Sequence, residues 1–356
     1  MNISTDHNED QPFNNKPSGG YEWWYFDAIS EDREWSFVVI FYIGNPFSPE
    51  YIRDIDEKSS KPDDHPAVSV SVYNNTKTEF YGFEEYESAD LEWDELGTLK
   101  IGANTFTKKV NDNELVYELH IDQQLASSHS VKGNLTFKSN KSNPSLIVNT
   151  TEGVEKHFWN LVQPKAMVEG SLKIIGKRGE HHVQFKGSGY HDHNVGLEPM
   201  KDDFIDWYWG RLHFKDSTLI YYMMNRNNEK QYQAWLISKD NQEVIDRFDA
   251  VDIEDIRSSI FGIRSGRKII LRSQHSEVTL QASSILDSGP FYQRFYSKGI
   301  LKRKDKLDVA EGITEYIYPE NIYNKLFWPA VKMRLRFASQ KPHWVQKNKS
   351  LYEWTW

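Results

Sequence analysis

Cysteine is absent from the 356 residues of the chain. Its absence excludes disulfide bonds, thiolate catalysis and cysteine-ligated zinc or iron–sulfur sites. The chain also lacks a basic stretch interleaved with aromatic residues, and its formal net charge is -9, so nucleic acid is not expected as a partner. No apolar run approaches the length of a membrane span. Met1 to Gly20 is polar, without the apolar core of a signal peptide, and we therefore expect a cytoplasmic protein.

Aromatic residues, by contrast, are abundant at 14% of the chain, which indicates large apolar surfaces to be lined. Periodic helix is scarce, whereas short apolar or alternating runs recur between turn-forming clusters. These predicted strands are Trp35–Ile43, Ala67–Tyr73, Thr78–Phe83, Thr98–Ile101, Leu115–Ile121, Val131–Phe137 and Leu161–Ile175. The pattern predicts an all-β protein of sandwich or barrel type.

A weak internal repeat suggests how the chain is divided. Glu22-Trp-Trp-Tyr-Phe26 resembles Asp206-Trp-Tyr-Trp-Gly210, and an apolar strand follows each, Trp35–Ile43 and Ser217–Met224. Two copies of one β-barrel unit would explain the repeat, although aromatic strands in a tryptophan-rich chain also resemble one another by chance. The predicted organisation is a disordered tail at 1-18, an N-terminal barrel at 19-200 and a C-terminal barrel at 201-356.

The densest group of hydrogen-bonding side chains lies in Gly187-Ser-Gly-Tyr-His-Asp-His-Asn-Val-Gly196. If this segment is extended, alternation places His191 and His193 on one face. The opposite face then carries Tyr190, Asp192 and Asn194. A polar loop whose histidines only bind backbone carbonyls is the alternative, but the cluster as a whole favours a functional site.

A metal site is a second interpretation of the same segment. His191-x-His193 followed by Glu198 has the spacing of half a cupin site, in which two histidines and a glutamate bind a metal. The flanking glycines do not fall where a cupin requires them, and no clear second histidine block follows. We therefore expect no metal.

Three blocks in order resemble the carotenoid 1,2-hydratase and AttH-like family: Glu22-Trp-Trp-Tyr-Phe26, Gly189-Tyr-His-Asp-His-Asn194 with Gly196, and Trp207-x-Trp-Gly210. The resemblance extends over nearly the whole chain beyond the polar tail. It implies two lipocalin-like antiparallel β-barrels packed together, with an apolar ligand pocket. Similar proteins include hydratases of carotenoid end groups, cofactor-free Diels–Alderases and proteins of unknown activity, so the resemblance implies a fold more strongly than a reaction.

The resemblance also implies site residues. His193 matches the family's catalytic histidine, with His191 and Asp192 as supporting neighbours. The hydratases carry a Tyr-x-Asp on a strand of the second half, whereas the matching stretch Leu219-Ile-Tyr-Tyr-Met-Met-Asn225 has tyrosines but no aspartate. The predicted catalytic residues are His193, His191, Asp192 and Tyr222. The predicted substrate-binding residues are Glu22, Trp23, Trp24, Tyr25, Tyr190, Asn194, Trp207, Trp209 and Tyr221.

Protonating an isolated double bond needs an acid and a pocket that tolerates positive charge. A histidine held protonated by Asp192 or Glu22 is a reasonable acid, and aromatic faces stabilise a carbocation. We therefore predict a cofactor-free hydratase/lyase or cyclase/isomerase acting on C=C bonds of an apolar polyene or isoprenoid in pigment or secondary-metabolite biosynthesis. A Diels–Alderase-type pericyclase without proton transfer and a non-catalytic lipid or carotenoid carrier are the alternatives. The expected partner is an apolar small molecule, picked up through peripheral membrane contact.

Overall fold

The computed structural model describes residues 1–59, 61–141, 155–227, 229–239, 243–304 and 306–356. The strands are β1 (Asn2–Ser4), β2 (Tyr21–Ser30), β3 (Trp35–Ile43), β4 (Ala67–Asn74), β5 (Lys77–Glu85), β6 (Leu91–Trp93), β7 (Thr98–Ile101), β8 (Asn104–Val110), β9 (Glu114–Gln124), β10 (Ser130–Asn140), β11 (His157–Gly176), β12 (Gly179–Gly196), β13 (Phe204–His213), β14 (Ser217–Arg226), β15 (Lys230–Ser238), β16 (Val244–Arg247), β17 (Ala250–Ser258), β18 (Arg264–Arg272), β19 (Ser276–Ser288), β20 (Tyr292–Arg303), β21 (Lys306–Ile317) and β22 (Leu335–Phe337). The α-helices are α1 (Pro49–Asp56), α2 (Glu320–Tyr323), α3 (Trp328–Arg334), α4 (Trp344–Lys347) and α5 (Lys349–Trp354). None of these described helices is long and apolar enough to cross a membrane. The prediction of an all-β protein is confirmed.

The described residues form two units, each with its own sheet. The first unit contains residues up to Pro199 together with Lys325–Trp356, and the second contains Met200–Asn324. The order in the first sheet is β22-β5-β4-β3-β2-β12-β11-β10-β9-β8-β7-β6, with β1 paired to β11. The order in the second sheet is β16-β15-β14-β13-β21-β20-β19-β18-β17. Apart from the parallel pairs β1–β11 and β22–β5, every pair is antiparallel within the described residues.

The two sheets follow the same plan around their aromatic strands. In the first unit β2 lies between β3, which follows it in sequence, and β12, the last long strand before the second unit begins. In the second unit β13 lies in the same way between β14 and the last strand, β21. Glu22–Phe26 lies on β2 and Asp206–Gly210 on β13. The weak sequence repeat therefore corresponds to a repeat of strand order.

Each unit has a separate apolar core built from alternate residues of its strands. On β2, Trp24, Phe26 and Ala28 point into the first core, which strands β3 to β12 complete. On β13, Tyr208 and Leu212 point into the second core. Burying one such aromatic or aliphatic side chain contributes about 1.5–3 kcal/mol. Because apolar residues alternate along these strands, the strands could be predicted from the sequence.

The N-terminal residues differ from the disordered tail expected over 1-18. Ile3 is buried and β1 pairs in parallel with the start of β11, where Ile3 lies opposite Trp159. The amino group of Met1 forms a 2.7 Å ion pair with Glu155. Asp10 is also buried. The polar composition of this segment concealed these contacts, because they are made to residues distant in sequence.

The C-terminal residues also differ from the expected division, which assigned them to the barrel at 201-356. β22 pairs with β5, with Leu335 opposite Phe83. Tyr352 on α5 belongs to the core of the first unit, and Glu353 forms a 2.9 Å contact with His129 of that unit. Because of these apolar and polar contacts, Lys325–Trp356 belongs to the first unit.

A buried histidine anchors α1 to the first sheet. The Nδ1 atom of His65 lies 2.8 Å from Glu85 of β5, and its Nε2 atom lies 3.0 Å from Asp54 of α1. Burial lowers the pKa of His65, but the hydrogen bonds and charges of Glu85 and Asp54 outweigh burial and raise that pKa above its usual value. The stabilisation is therefore fully present below the unfolded pKa and is lost as the pH rises through the folded pKa.

We expect His65→Gln to lower the free energy of unfolding by about 1–3 kcal/mol at about pH 6, because Glu85 loses its cationic partner. The difference from wild type should shrink as the pH rises above the folded pKa. Denaturant unfolding at several pH values measures it. The control is His182→Gln at an exposed histidine, which should change stability by less than about 0.5 kcal/mol. A pH-independent difference would contradict the protonated clamp.

Candidate active site

The histidine segment is the end of β12, held between β11 and β2. His193 lies opposite Asn160 of β11 and opposite Trp24 of β2. The predicted alternation is found, since His191 and His193 face the core side of the sheet and Asp192 faces the opposite side. Gly196 ends the segment where the Tyr21 ring packs so closely that an added Cβ would lie 2.2 Å from it. Only glycine permits this approach.

His193 is held by two carboxylates and an aromatic ring. Its Nε2 atom lies 2.7 Å from Glu22, and its Nδ1 atom lies 3.2 Å from Asp10. Its ring stacks on Trp24 with 4.6 Å between centroids and 6° between planes. Because carboxylates only accept, the Nε2 atom of His193 donates to Glu22. The Nδ1 atom lies within ion-pair distance of Asp10, so two carboxylates flank the imidazole of His193.

His191 has a different environment. Its Nδ1 atom donates to the backbone oxygen of Tyr25 at 3.0 Å, and its ring stacks on Phe26 at 3.9 Å. Burial lowers the pKa of His191, and the opposing effect of Asp10 does not cancel it. At neutral pH His191 is therefore uncharged. Its Nε2 atom lies 3.6 Å from the Asp10 carboxylate.

Asp10 joins the two histidines to the rest of the core. One of its oxygens accepts from the Trp24 indole at 2.9 Å, and the other accepts from the Tyr117 hydroxyl. Lys108 lies 3.8 Å from its carboxylate. Burial alone would raise the pKa of Asp10, but the histidines and Lys108 lower it well below the usual range. Asp10 is therefore a buried carboxylate that is ionised at neutral pH.

Glu22 is also ionically paired. It accepts from His193, forms a 2.8 Å ion pair with Lys16, and accepts the backbone N–H of Phe13 at 2.9 Å. Lys16 and Phe13, like Asp10, belong to the segment that precedes β2. Sequence reasoning missed all three. No local pattern marks them, because only the folded chain brings this polar segment against β12.

A cavity of about 310 Å³ lies beside His193 in the first unit. It is enclosed by the N-terminal residues on one side and by the paired β11 and β12 on the other. Its walls include Phe13, Phe158 and Val195. His193 and Asn160 also line it. The size is at the lower end of small-molecule sites, which occupy about 300–1,000 Å³.

Comparison with known proteins identifies the family. The sequence profile of the carotenoid hydratase CrtC family matches residues 39–339. The chain belongs to the carotenoid hydratase CrtC family. A hydroxyneurosporene dehydrogenase of Chlorobaculum tepidum is 31% identical over 345 residues, covering 92% of this chain and 90% of that protein. An acyclic carotenoid 1,2-hydratase of Thiocapsa roseopersicina is 28% identical over 205 residues, covering 57% of this chain and 47% of that protein.

A solved structure supports the lipocalin-like fold of this chain. The putative AttH protein of Nitrosomonas europaea aligns with 87% of this chain and 95% of its own, with a TM-score of 0.59 and 13% identity. At this identity the likeness concerns the fold alone. The profile match begins at residue 39, after Asp10 and Glu22 in the chain.

Asp192 does not hold His193 protonated, as one of the sequence interpretations expected. It lies on the opposite face of β12, where it accepts from the Tyr190 hydroxyl at 2.7 Å and from Asn194 at 2.9 Å. The Trp159 indole also donates to it at 2.7 Å. The strand's alternation separates Asp192 from its histidine neighbours. Asp10 and Glu22 take the position that was expected for it.

The remaining predicted residues lie on three strands. Trp23 and Tyr25 lie on β2 opposite Asn194 and Asp192, on the face away from Trp24. Trp207 and Trp209 lie on β13, and Tyr221 and Tyr222 on β14. Tyr221 points into the core of the second unit, where its hydroxyl lies 2.6 Å from Thr314, whereas Tyr222 lies opposite Trp209. Their roles in substrate binding or catalysis stay predictions.

The metal interpretation has little support in the geometry. Glu198 contacts Lys156 and lies 3.5 Å from His157, rather than approaching the histidines of β12. Across the described residues, no group of three or more histidine and carboxylate side chains is arranged to hold a metal ion. That no metal takes part stays a prediction.

We expect Asp10→Asn to lower the free energy of unfolding by about 3–5 kcal/mol, because Lys108 would lose its buried counter-charge. Denaturant unfolding followed by tryptophan fluorescence measures the change. Asp6→Asn, at an exposed carboxylate of the same segment, should cost less than about 1 kcal/mol. Equal effects of the two substitutions would show that Asp10 is not the centre of the network.

Proposed function

We propose that this chain is a cofactor-free enzyme acting on C=C bonds of an apolar polyene or isoprenoid, by hydration, isomerisation or cyclisation. The cavity beside His193 carries the proposal. Its walls combine apolar side chains with one imidazole that two carboxylates contact. Membership of the CrtC family supports a substrate of carotenoid or related type. We extend the proposal to pickup of this substrate through peripheral membrane contact.

His193 is the proposed proton donor. The Nε2 contact to Glu22 is short at 2.7 Å, whereas the Nδ1 contact to Asp10 is longer at 3.2 Å. The Nδ1 proton is therefore the one more readily released to a substrate in the cavity. After the transfer, His193 remains hydrogen-bonded to Glu22. The stacked Trp24 face fixes the orientation of the imidazole, which lines the cavity, as general acid catalysis requires.

Asn160 is the proposed anchor for the attacking water. It lies directly opposite His193 and lines the same cavity. Its Nδ2 atom donates to the backbone oxygen of Asp6, while its buried Oδ1 atom has no hydrogen-bond partner among the described residues. A free buried acceptor suits a water molecule. In hydration, His193 gives its proton to one alkene carbon, the water oxygen bonds to the other, and the released proton restores His193.

The geometry is also compatible with two alternatives without proton transfer. Both nitrogens of His193 face carboxylates, so in this state neither N–H is directed only toward the cavity. A Diels–Alderase-type pericyclase, or a carrier, would need only the shaped cavity. The relatives do not decide the reaction, since one is named a dehydrogenase and another a hydratase.

For a proton-transfer enzyme we expect His193→Ala to lower turnover of a polyene substrate by roughly 100-fold or more while ligand affinity stays nearly unchanged. His193→Gln, which keeps a hydrogen-bond donor without an acid, should not restore proton transfer. Chromatography of the products and a binding titration measure the two effects. Full turnover by His193→Ala would remove the catalytic assignment. A wild-type protein that returns its bound ligand chemically unchanged would instead be a carrier.

For hydration we expect Asn160→Leu to slow formation of the alcohol by about tenfold or more, because the water loses its acceptor. Gln11→Leu, at another residue lining the cavity, is the matched control and should have little effect. Incorporation of labelled oxygen from water into the product measures the step. An unchanged rate of incorporation in Asn160→Leu would contradict the role of Asn160.

A further inference from the structure

In the second unit, β18 and β19 diverge at one end. They pair from Arg272 opposite Glu277 as far as Lys268 opposite Gln281. Beyond that point β19 continues against β20 to Ser288, while Arg264–Gly266 remain paired to β17. Within the described residues, this end of β18 therefore has backbone groups with no neighbouring strand on the β19 side.

Side chains satisfy the backbone at this opening. The N–H of Gly266 donates to the hydroxyl oxygen of Tyr208 at 2.6 Å, and the side chain of Gln281 donates to the backbone oxygen of Arg267 at 3.1 Å. Tyr208 reaches this point from β13, through the core of the second unit. Its hydroxyl accepts here, so its own proton is available to another acceptor.

Arg267 lies at the point of divergence with its charge inside the unit. It shares a face of β18 with Ile269 and Leu271, which are core residues, and only 7% of its surface is exposed. Its guanidinium lies 4.0 Å from the centre of the Phe295 ring. Its Nη1 atom is buried and has no hydrogen-bond partner among the described residues. Buried arginine is normally paired, so this atom requires an explanation.

Among the described residues, no carboxylate supplies the missing partner. Asp255 is the acidic group whose charge acts on Arg267, but its two oxygens are occupied by Arg257 at 2.8 and 3.1 Å. In the part of the chain that the structure describes, Arg267 forms no ion pair. A planar guanidinium fork with a free N–H, on an aromatic ring, matches the geometry of a carboxylate.

We propose that the opening between β18 and β19 binds the carboxylate end of a long apolar acid. The guanidinium of Arg267 and the hydroxyl proton of Tyr208 donate to the carboxylate, and the chain lies against Phe295 and the neighbouring core. This binding site goes beyond the proposed reaction, because it lies wholly in the second unit and requires no chemistry of the ligand.

The test is binding of a long-chain conjugated tetraene carboxylic acid, whose fluorescence rises in apolar surroundings, compared with the corresponding alcohol. The wild-type protein should bind the acid more tightly than the alcohol at neutral pH. Arg267→Gln should weaken acid binding by about tenfold or more, the effect of losing a charge-assisted hydrogen bond, and leave the alcohol unaffected. Arg267→Lys should keep part of the preference, because it keeps the charge.

The matched control is Arg272→Gln. Arg272 lies on the same strand, on the opposite face, and is ion-paired with Asp252 and Glu277. It should bind the acid like the wild type. Equal wild-type affinity for acid and alcohol, or unchanged acid binding by a folded Arg267→Gln variant, would overturn the proposal. Because the assay needs no turnover, its outcome is independent of the test at His193.

Discussion

The buried charge network around His193 is the interaction on which the first unit depends. Two carboxylates, Asp10 and Glu22, lie out of contact with solvent, and two lysines and an imidazole compensate them. A buried ion pair adds little net stability, but removing one partner costs several kcal/mol. The network therefore contributes to a single, defined conformation rather than to net stability. It fixes the N-terminal residues against β12 and, with them, one wall of the cavity.

The sequence predicted the strands well and the network poorly, for a physical reason. Strand β7 (Thr98–Ile101) and the faces of β12 follow from local alternation, which a single segment displays by itself. Asp10 acquires its environment from Tyr117, 107 residues later, and nothing near Asp10 signals that contact. Tyr352 likewise joins the first core only because the chain returns to it. The polar composition of the N-terminal residues therefore predicted a disordered tail, whereas in the fold these residues form one wall of the cavity.

The two units repeat one arrangement with different chemistry. In the first, Glu22 binds His193, which stacks on its cross-strand neighbour Trp24. In the second, Tyr316 interacts electrostatically with Asp206, and the Tyr316 ring lies 4.5 Å from that of its cross-strand neighbour Tyr208. Burial raises the pKa of Asp206, and no lysine pairs with it as Lys16 pairs with Glu22 within the described residues. Both units therefore place an acidic residue beside an aromatic ring at this position. Within the described residues, only the acid of the first unit belongs to a network of ion pairs.

The chain returns to β5 only after the second unit, and this order determines when the first unit can be completed during synthesis. The second unit is an insertion within the first, because β22 and α5 are synthesised after it and complete the first sheet and core. During translation, the roughly 125 residues of Met200–Asn324 are synthesised before the last strand of the first unit. Its histidine network can assemble early, since Glu22 and His193 both precede the insertion. The first sheet and core are completed only after the second unit has been synthesised, and loss of β22 would leave β5 as the edge of the sheet.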